Sequence, residues 1–185
     1  IKKNSKTSFD ANKFIDTEPT IAEAVQNKAV ITFGRMNPPT VGHEKLVNKI
    51  ISTAISEKGT PLVYLSKTQD AKKNPLTYEQ KLKYAQTFFG KRLVVKSNAK
   101  TIIQVVQELQ KAGFKDLVLV VGSDRVKEFE TLLNKYNGKD FTFNSIKVVS
   151  AGERDPDSDD VSGMSASKLR DYAARGDYTA FKKGV

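Results

Sequence analysis

The only histidine of the 185-residue chain, His43, follows Gly42 and lies three residues after Thr40. An apolar run at residues 29–33 comes before them, and it is followed by Gly34 and two prolines. This order predicts a buried strand, a tight loop and a helix whose first turn carries an imidazole. A helix N-terminus attracts anions through its backbone N–H groups, and glycine lets a ligand approach the backbone closely. The stretch therefore predicts a phosphate site.

Apolar strands alternate with helical patterns along the rest of the chain. The predicted strands lie at residues 29–33, 61–66, 91–96, 116–121 and 145–150. Strands that alternate with helices of about 10–15 residues predict an α/β fold, a Rossmann-like open parallel five-stranded sheet with helices on both faces. Such sheets bind ligands beyond the carboxyl ends of their strands. Polar residues follow three of the predicted strands, at 34–43, 66–74 and 122–124.

Local signals predict the helix boundaries. Thr77 and Gln80 have the spacing of a capping box, which indicates a helix from this point through residue 89. Gly59 predicts the end of the first helix, and Ser123 or Asp124 predicts the N-cap of a helix that reaches residue 136. Further helices are predicted at residues 101–112, 164–174 and 178–183.

Length and composition indicate one basic domain, at residues 29–185, preceded by an N-terminal arm at residues 1–28. The chain has 31 Lys and Arg against 21 Asp and Glu, for a net charge of +10 and a pI near 9.6. This balance favours partners that carry phosphate, including nucleotides and nucleic acid. The absence of cysteine excludes disulfides and thiol nucleophiles. No apolar run is long enough to span a membrane, so we expect a soluble protein, and the start at Ile1 predicts a fragment of a longer one.

An acidic segment near residue 155 gives no metal site in this interpretation. Asp155, Asp157 and Asp159 alternate as at the start of a calcium loop. The sixth position is Asp160 where such a loop needs glycine, and the twelfth is Ala166 where it needs glutamate. We therefore expect a flexible, exposed loop and no protein-bound metal. The phosphate-binding P-loop and the dinucleotide-binding glycine fingerprint are also absent, so the chain lacks the motifs of those NTPases and dehydrogenases.

Four segments, in order, resemble the motifs of a known superfamily. Residues 34–43 resemble the T/H-x-G-H signature of the nucleotidylyltransferases, relatives of the class I aminoacyl-tRNA synthetases. Residues 72–77 resemble the loop and helix start of archaeal-type nicotinamide mononucleotide adenylyltransferases. Residues 122–124 are similar to a G-x-D segment that lines the ribose and base, and residues 164–170 resemble the phosphate-binding I-S-x-T-x-x-R motif.

The resemblance implies an adenylyltransferase that moves AMP from ATP to a small phosphorylated acceptor and releases pyrophosphate, and it favours nicotinamide mononucleotide as the acceptor. His43 and Thr40 would donate hydrogen bonds to the triphosphate and to the charge that develops on it. Ser167 and Arg170 would hold the β and γ phosphates. Lys73 or Arg35 would contact the attacking phosphate. A Mg²⁺ ion would be carried by the phosphates and keep most of its waters.

The resemblance also implies a nucleotide-binding set built from backbone amides, hydroxyls and a carboxylate. Considered singly, several of these positions have simpler interpretations, such as an N-cap at Ser165 or a strand-to-helix turn at Gly122. Their joint occurrence favours nucleotide binding. The set consists of Gly34, Arg35, Gly42, Gly122, Asp124, Met164, Ser165 and Ser167.

Departures from the superfamily pattern leave alternatives open. Thr40 stands where the adenylyltransferases most similar in the other motifs have histidine, although pantetheine-phosphate adenylyltransferases and cytidylyltransferases have threonine there. The R-T-E-G-I-S-T run of the cytidylyltransferases is absent, which favours ATP over CTP. We expect a cytoplasmic protein that forms a homo-oligomer or part of a larger assembly.

The main alternative is an inactive domain that serves as a basic structural component or associates with nucleic acid. The form of residues 34–43 also resembles versions carried by large tailed bacteriophages, in which case the protein would be associated with the virion. A fragment of a tRNA synthetase is disfavoured by the short spacing between the motifs and by the missing anticodon domain.

Overall fold

A computed structural model describes residues 27–152 and 165–185. Its centre is a parallel four-stranded sheet with the strand order β2-β1-β3-β4. The α/β class and the parallel sheet are thus confirmed. The strands are β1 (Lys28–Gly34), β2 (Thr60–Leu65), β3 (Asp116–Val121) and β4 (Ser145–Ser150). The helices are α1 (Val41–Glu57), α2 (Tyr78–Phe89), α3 (Ile102–Lys111), α4 (Val126–Tyr136), α5 (Ala166–Arg175) and α6 (Tyr178–Lys182).

The prediction of a fifth strand at residues 91–96 is wrong. Only Val94 pairs with β2, through a single parallel bridge to Val63. The Val63 N–H donates to the Leu93 carbonyl at 2.8 Å, and the Val95 N–H donates to the Val63 carbonyl at 2.9 Å. The segment is too short to form a ladder because residues 91–93 still form the turn after α2 and the chain leaves the sheet edge again by Ser97. An apolar run that is long enough for a strand therefore forms only one bridge to β2.

Helices cover both faces of the sheet, as predicted. Because successive strand residues point to opposite faces, Val30 and Ile31 of β1 belong to different cores. Val30 packs with the buried faces of α1 and α2, whereas Ile31 packs with those of α3 and α4. The pair α5 and α6 follows at the C-terminal end, where Leu169 is fully buried. Within the described ranges, no helix is long and apolar enough to cross a membrane.

The capping predictions for α2 and α5 are confirmed. The Gln80 N–H donates to Thr77 Oγ1 at 3.3 Å, and the Thr77 N–H donates to Gln80 Oε1 at 2.9 Å, so the capping box closes in both directions. Ser165 Oγ accepts the N–H of Lys168 at 3.2 Å and caps α5.

The prediction that Ser123 or Asp124 caps α4 is wrong. Residues Ser123–Arg125 form a 3₁₀ turn, and α4 begins at Val126 without a hydrogen bond from a capping side chain. In this turn the Arg125 N–H donates to the Gly122 carbonyl at 3.0 Å. A 3₁₀ turn satisfies N–H groups at a helix start by itself, which removes the need for a side-chain cap.

Gly59 follows the end of α1, but the residue that adopts the helix-ending left-handed conformation is Lys58. The glycine is needed for close packing. Lys58 adopts the left-handed backbone conformation, with φ 51°, and Gly59 follows it. Gly59 is buried against the start of β1, where an added Cβ would lie 2.8 Å from Val30 Cγ2 and 3.1 Å from the Lys28 carbonyl. The helix thus stops near the predicted residue, but the glycine permits close packing of two backbones.

We predict that Gly59→Ala lowers the free energy of unfolding by about 1–3 kcal/mol, because the new methyl group overpacks a site bounded by backbone. Urea unfolding measures the change. Gly34→Ala is the matched control, since a Cβ at Gly34 meets no atom within 4 Å. Equal unfolding midpoints for Gly59→Ala and the wild type would contradict this account.

Candidate active site

The carboxyl ends of β1 and β2 form the base of the site. The Ser66 N–H donates to the Gly34 carbonyl at 2.8 Å, which extends the pairing of the two strands by one residue. From Gly34 the chain continues through the β1–α1 loop, residues 35–40. Met36 in this loop is buried although its φ is 41°, in the left-handed region that disfavours a residue with a side chain. The loop is therefore held in one conformation by its surroundings.

Thr40 and His43 contact each other at the start of α1. His43 Nδ1 accepts the Thr40 N–H at 3.1 Å and lies 2.9 Å from Thr40 Oγ1. A ring nitrogen that accepts a backbone N–H carries no proton, so the neutral imidazole holds its proton on Nε2. The ring orientation is thus fixed at Nδ1, and Nε2 is the nitrogen that carries the proton. The predicted spacing of three residues brings the hydroxyl and the imidazole together.

The N-terminus of α1 is less open than the sequence suggested. The Val41 N–H donates to the Gly184 carbonyl at 3.2 Å, and the His43 N–H donates to the Thr40 carbonyl at 2.9 Å. The phosphate site predicted from the sequence relies on free N–H groups at the start of this helix, and two of these donors already have partners. Side chains must therefore supply a larger part of any anion binding here.

Asn37 joins three of the predicted motif segments. Its Oδ1 accepts the Leu76 N–H at 3.1 Å, and its Nδ2 donates to the Leu76 carbonyl at 3.3 Å. Its own carbonyl accepts Arg170 Nη1 at 2.7 Å, while Arg170 Nη2 donates to Ser167 Oγ at 3.0 Å. These contacts form the Asn37 network, which consists of Asn37, Leu76, Ser167 and Arg170. Sequence reasoning missed Asn37, although an amide is the side chain suited to pair with a backbone N–H and C=O together.

The β2–α2 crossover, residues 66–77, is organised by Asp70. Asp70 Oδ1 accepts the N–H groups of Lys72 at 3.0 Å and Lys73 at 2.6 Å, and its Oδ2 accepts Asn74 Nδ2. These hydrogen bonds, with that from Asn74 the strongest, lower the pKa of Asp70 to about 2. The backbone of Lys73 is thereby fixed while its side chain is exposed.

Positive charge concentrates between the β1–α1 loop, α2 and α5. Lys81 is fully buried, and its ammonium donates to the carbonyls of Ser66 and Thr68. Burial lowers the pKa of Lys81 to about 8, and the neighbouring charge of Arg35 adds to this effect. Burial and Arg35 also lower the pKa of Arg170, while Asp70 opposes the shift. A cation, Arg35, that disfavours the charge of two neighbouring cations is typical of a site for an anion.

Sequence reasoning missed Lys81. It lies on the buried face of α2, one residue before Leu82 and four before Ala85, both of which are buried. The available signal was a lysine at a position where helical periodicity requires an apolar residue. Lysines are almost never fully buried without a partner.

The remaining predicted residues lie elsewhere or outside the described ranges. Gly122 and Asp124 follow β3, beside β1, and the Ser123 N–H donates to the Gly152 carbonyl at 3.3 Å rather than to the Asn37 network. Gly42 lies in the first turn of α1. Met164 and the acidic loop at 155–160 lie outside the described residues. Within residues 27–152 and 165–185, no three His, Cys, Asp or Glu side chains are grouped to hold a metal ion.

We predict that Asn37→Ala lowers the free energy of unfolding by about 1–3 kcal/mol, because the variant leaves the N–H and C=O of Leu76 without their partner. Calorimetry or urea unfolding measures this. Asn48→Ala, at an exposed position of α1, is the control and should leave stability within about 0.5 kcal/mol of the wild type. Similar values for the two variants would refute the linking role of Asn37.

Comparison with known proteins agrees with this architecture. A crystal structure from Vibrio parahaemolyticus, assigned as a nicotinate-nucleotide adenylyltransferase, is similar with a TM-score of 0.51 and 19% identity, over 80% of this chain and 82% of that chain. At that identity the likeness concerns the fold. No protein of curated function matches the sequence. The sequence does match the cytidylyltransferase-like family over residues 31–171. The chain therefore belongs to the cytidylyltransferase-like family, within the nucleotidylyltransferase superfamily.

Proposed function

We propose that the protein transfers AMP from ATP to a small phosphorylated acceptor and releases pyrophosphate. The observation that carries the proposal is the Asn37 network, which brings Arg170 and Ser167 to the loop that leads to Thr40 and His43. Membership of the cytidylyltransferase-like family supports transfer of a nucleotidyl group. Nicotinamide mononucleotide is the first acceptor to test, because residues 72–77 resemble the corresponding loop of enzymes that use it.

The proposed reaction is an in-line displacement at phosphorus. An oxygen of the acceptor phosphate attacks the α-phosphorus of ATP, and the bond from that phosphorus to the oxygen bridging to the β-phosphate breaks. The electron pair leaves with pyrophosphate. Such a reaction needs positioning and neutralisation of charge and no covalent nucleophile on the protein. The Mg²⁺ ion enters with ATP as part of the substrate and is held by its phosphates.

Each charged or polar group has a role in this proposal. His43 Nε2–H donates to the triphosphate, and Thr40 orients the ring through its N–H and its hydroxyl. Arg170 and Ser167 bind the β and γ phosphates. Lys73 and Arg35 contact the attacking phosphate. Fixed donors aimed at developing charge are the largest source of rate enhancement in many enzymes.

The proposal assigns the nucleoside to the end of β3 and the phosphates to the start of α5. Gly122 leaves space near the ribose, and the Asp124 carboxylate accepts from its hydroxyl groups. Met164 and Ser165 contribute backbone amides. ATP is preferred over CTP because the sequence lacks the cytidylyltransferase run R-T-E-G-I-S-T.

We predict that His43→Ala lowers the rate of pyrophosphate release about a hundredfold or more, the loss typical of removing one donor to a developing oxyanion. The assay uses ATP, magnesium and a panel of phosphorylated acceptors headed by nicotinamide mononucleotide. Ser52→Ala, on the exposed side of α1, is the control and should keep the wild-type rate.

Pyrophosphate release that is unchanged in His43→Ala would reject the assignment of this histidine. Salt-sensitive binding to DNA without affinity for ATP would instead favour the alternative, a basic domain that associates with nucleic acid. The net charge of +10 is the observation behind that alternative.

A further inference from the structure

Lys81 places a charged group in the protein interior, at a position that an apolar side chain of similar volume could also fill. Its side chain has no exposed surface. Its ammonium donates hydrogen bonds to the carbonyls of Ser66 and Thr68 and not to a carboxylate. Burying an ammonium group costs free energy, and a leucine or methionine would fill the same position without that cost. The neighbouring charge of Arg35 makes the cost larger. Packing alone therefore does not explain why a lysine occupies this buried position.

The two carbonyls that Lys81 holds are at the start of the β2–α2 crossover. Asp70 fixes the middle of the crossover, and Asn37 fixes its end at Leu76. Lys81 is therefore the first of three anchors on the segment that presents Lys73. Without it, the exit of the chain from β2 keeps the hydrogen bond from Ser66 to Gly34 and the exposed contact of the Lys67 ammonium with Asn98.

Ser66 supplies a second, independent observation at the same place. Its N–H is bonded to Gly34 and its carbonyl to Lys81, so its backbone is fixed on both sides. Its Oγ is the one buried side-chain polar atom within the described residues that has no hydrogen-bond partner. A buried hydroxyl without a partner is costly, and in a native structure such a group needs an explanation, for example a catalytic role or a bound water or ion.

We propose that Lys81 is a positioning residue for the acceptor, because it fixes the start of the crossover and places a buried positive charge behind the subsite for a phosphomonoester. The inference rests on the proposed function and extends it to the acceptor side. The charged groups around the ammonium come from separate elements. Arg35 faces it from the β1–α1 loop, Arg170 of α5 lies near Arg35, and Asp70 of the crossover lies near Arg170.

The charge of Lys81 gives the inference a pH signature. Its proton is lost as the pH rises through about 8, the value to which burial lowers its pKa. A phosphomonoester is already a dianion throughout the range from pH 7 to pH 9, since its second pKa is about 6. Acceptor binding should therefore weaken over this range in the wild type because the protein, and not the ligand, loses charge.

The test measures binding of nicotinamide mononucleotide and of ATP by calorimetry at pH 7 and pH 9. For Lys81→Met we predict acceptor binding about tenfold weaker at pH 7, no further loss at pH 9, and ATP binding within about threefold of the wild type. The tenfold change corresponds to about 1.4 kcal/mol. Lys81→Arg, which keeps its charge at both pH values, should bind the acceptor at pH 9 as well as at pH 7. Lys83→Met, at an exposed position of the same helix, is the control and should behave as the wild type.

Three outcomes would overturn the inference. One is a pH dependence that is the same in Lys81→Arg and the wild type. Another is a Lys81→Met variant that binds the acceptor like Lys83→Met, or that loses both ligands in proportion to a lower melting temperature, as expected of a purely structural lysine. The third is a wild type that does not bind nicotinamide mononucleotide at all. In that case retained ATP binding leaves the proposed nucleotidyl transfer standing with a different acceptor, whereas loss of both removes the proposed function as well.

Discussion

The pairing between the amide of Asn37 and the backbone of Leu76 is the contact on which the site depends most. These residues lie 39 positions apart, and a third segment joins them when Arg170 donates to the Asn37 carbonyl. The sheet places the ends of β1 and β2 side by side, but the contact between the loops that follow them and the contact with α5 depend on Asn37. A single buried amide, with its donor and acceptor both used, therefore converts separate loops into one surface. The catalytic assignment of His43 has meaning only if that surface is maintained.

Electrostatic repulsion is built into the same surface. Arg35, Lys81 and Arg170 lie close enough that the charge of Arg35 lowers the pKa of the other two. In the absence of an anion this arrangement raises the free energy of the folded state, and Asp70 offsets only part of it. A polyphosphate bound as proposed would reverse the sign of the interaction, so the repulsion present in the folded protein would contribute to affinity. In that case the protein would give up stability for recognition.

Sequence reasoning predicted the fold well where one local property decides the structure. Continuous apolar runs predicted four strands, and the spacing of Thr77 and Gln80 predicted a cap. It failed where pairing with distant residues decides the structure. At residues 91–96, the length of the apolar run does not show how many of its residues can pair with β2. Within the site, Thr40 and His43 were found because they are close in sequence. Asn37 and Lys81 were missed because the role of each depends on a carbonyl or N–H contributed by a remote loop.

The attachment of the last two helices has a consequence for the dynamics of the protein. Within the described part of the chain, α5 and α6 contribute one buried apolar residue, Leu169. The unit contacts the β1–α1 loop through Arg170 on Asn37 and the start of α1 through Gly184 on Val41. A unit with so little buried apolar area opens at a lower free energy than the sheet. Each such opening removes the arginine and uncaps α1 in one event. The fraction of molecules with Arg170 and the Gly184 carbonyl in place is then set by a local folding equilibrium, which a triphosphate bound as proposed would shift toward the closed form.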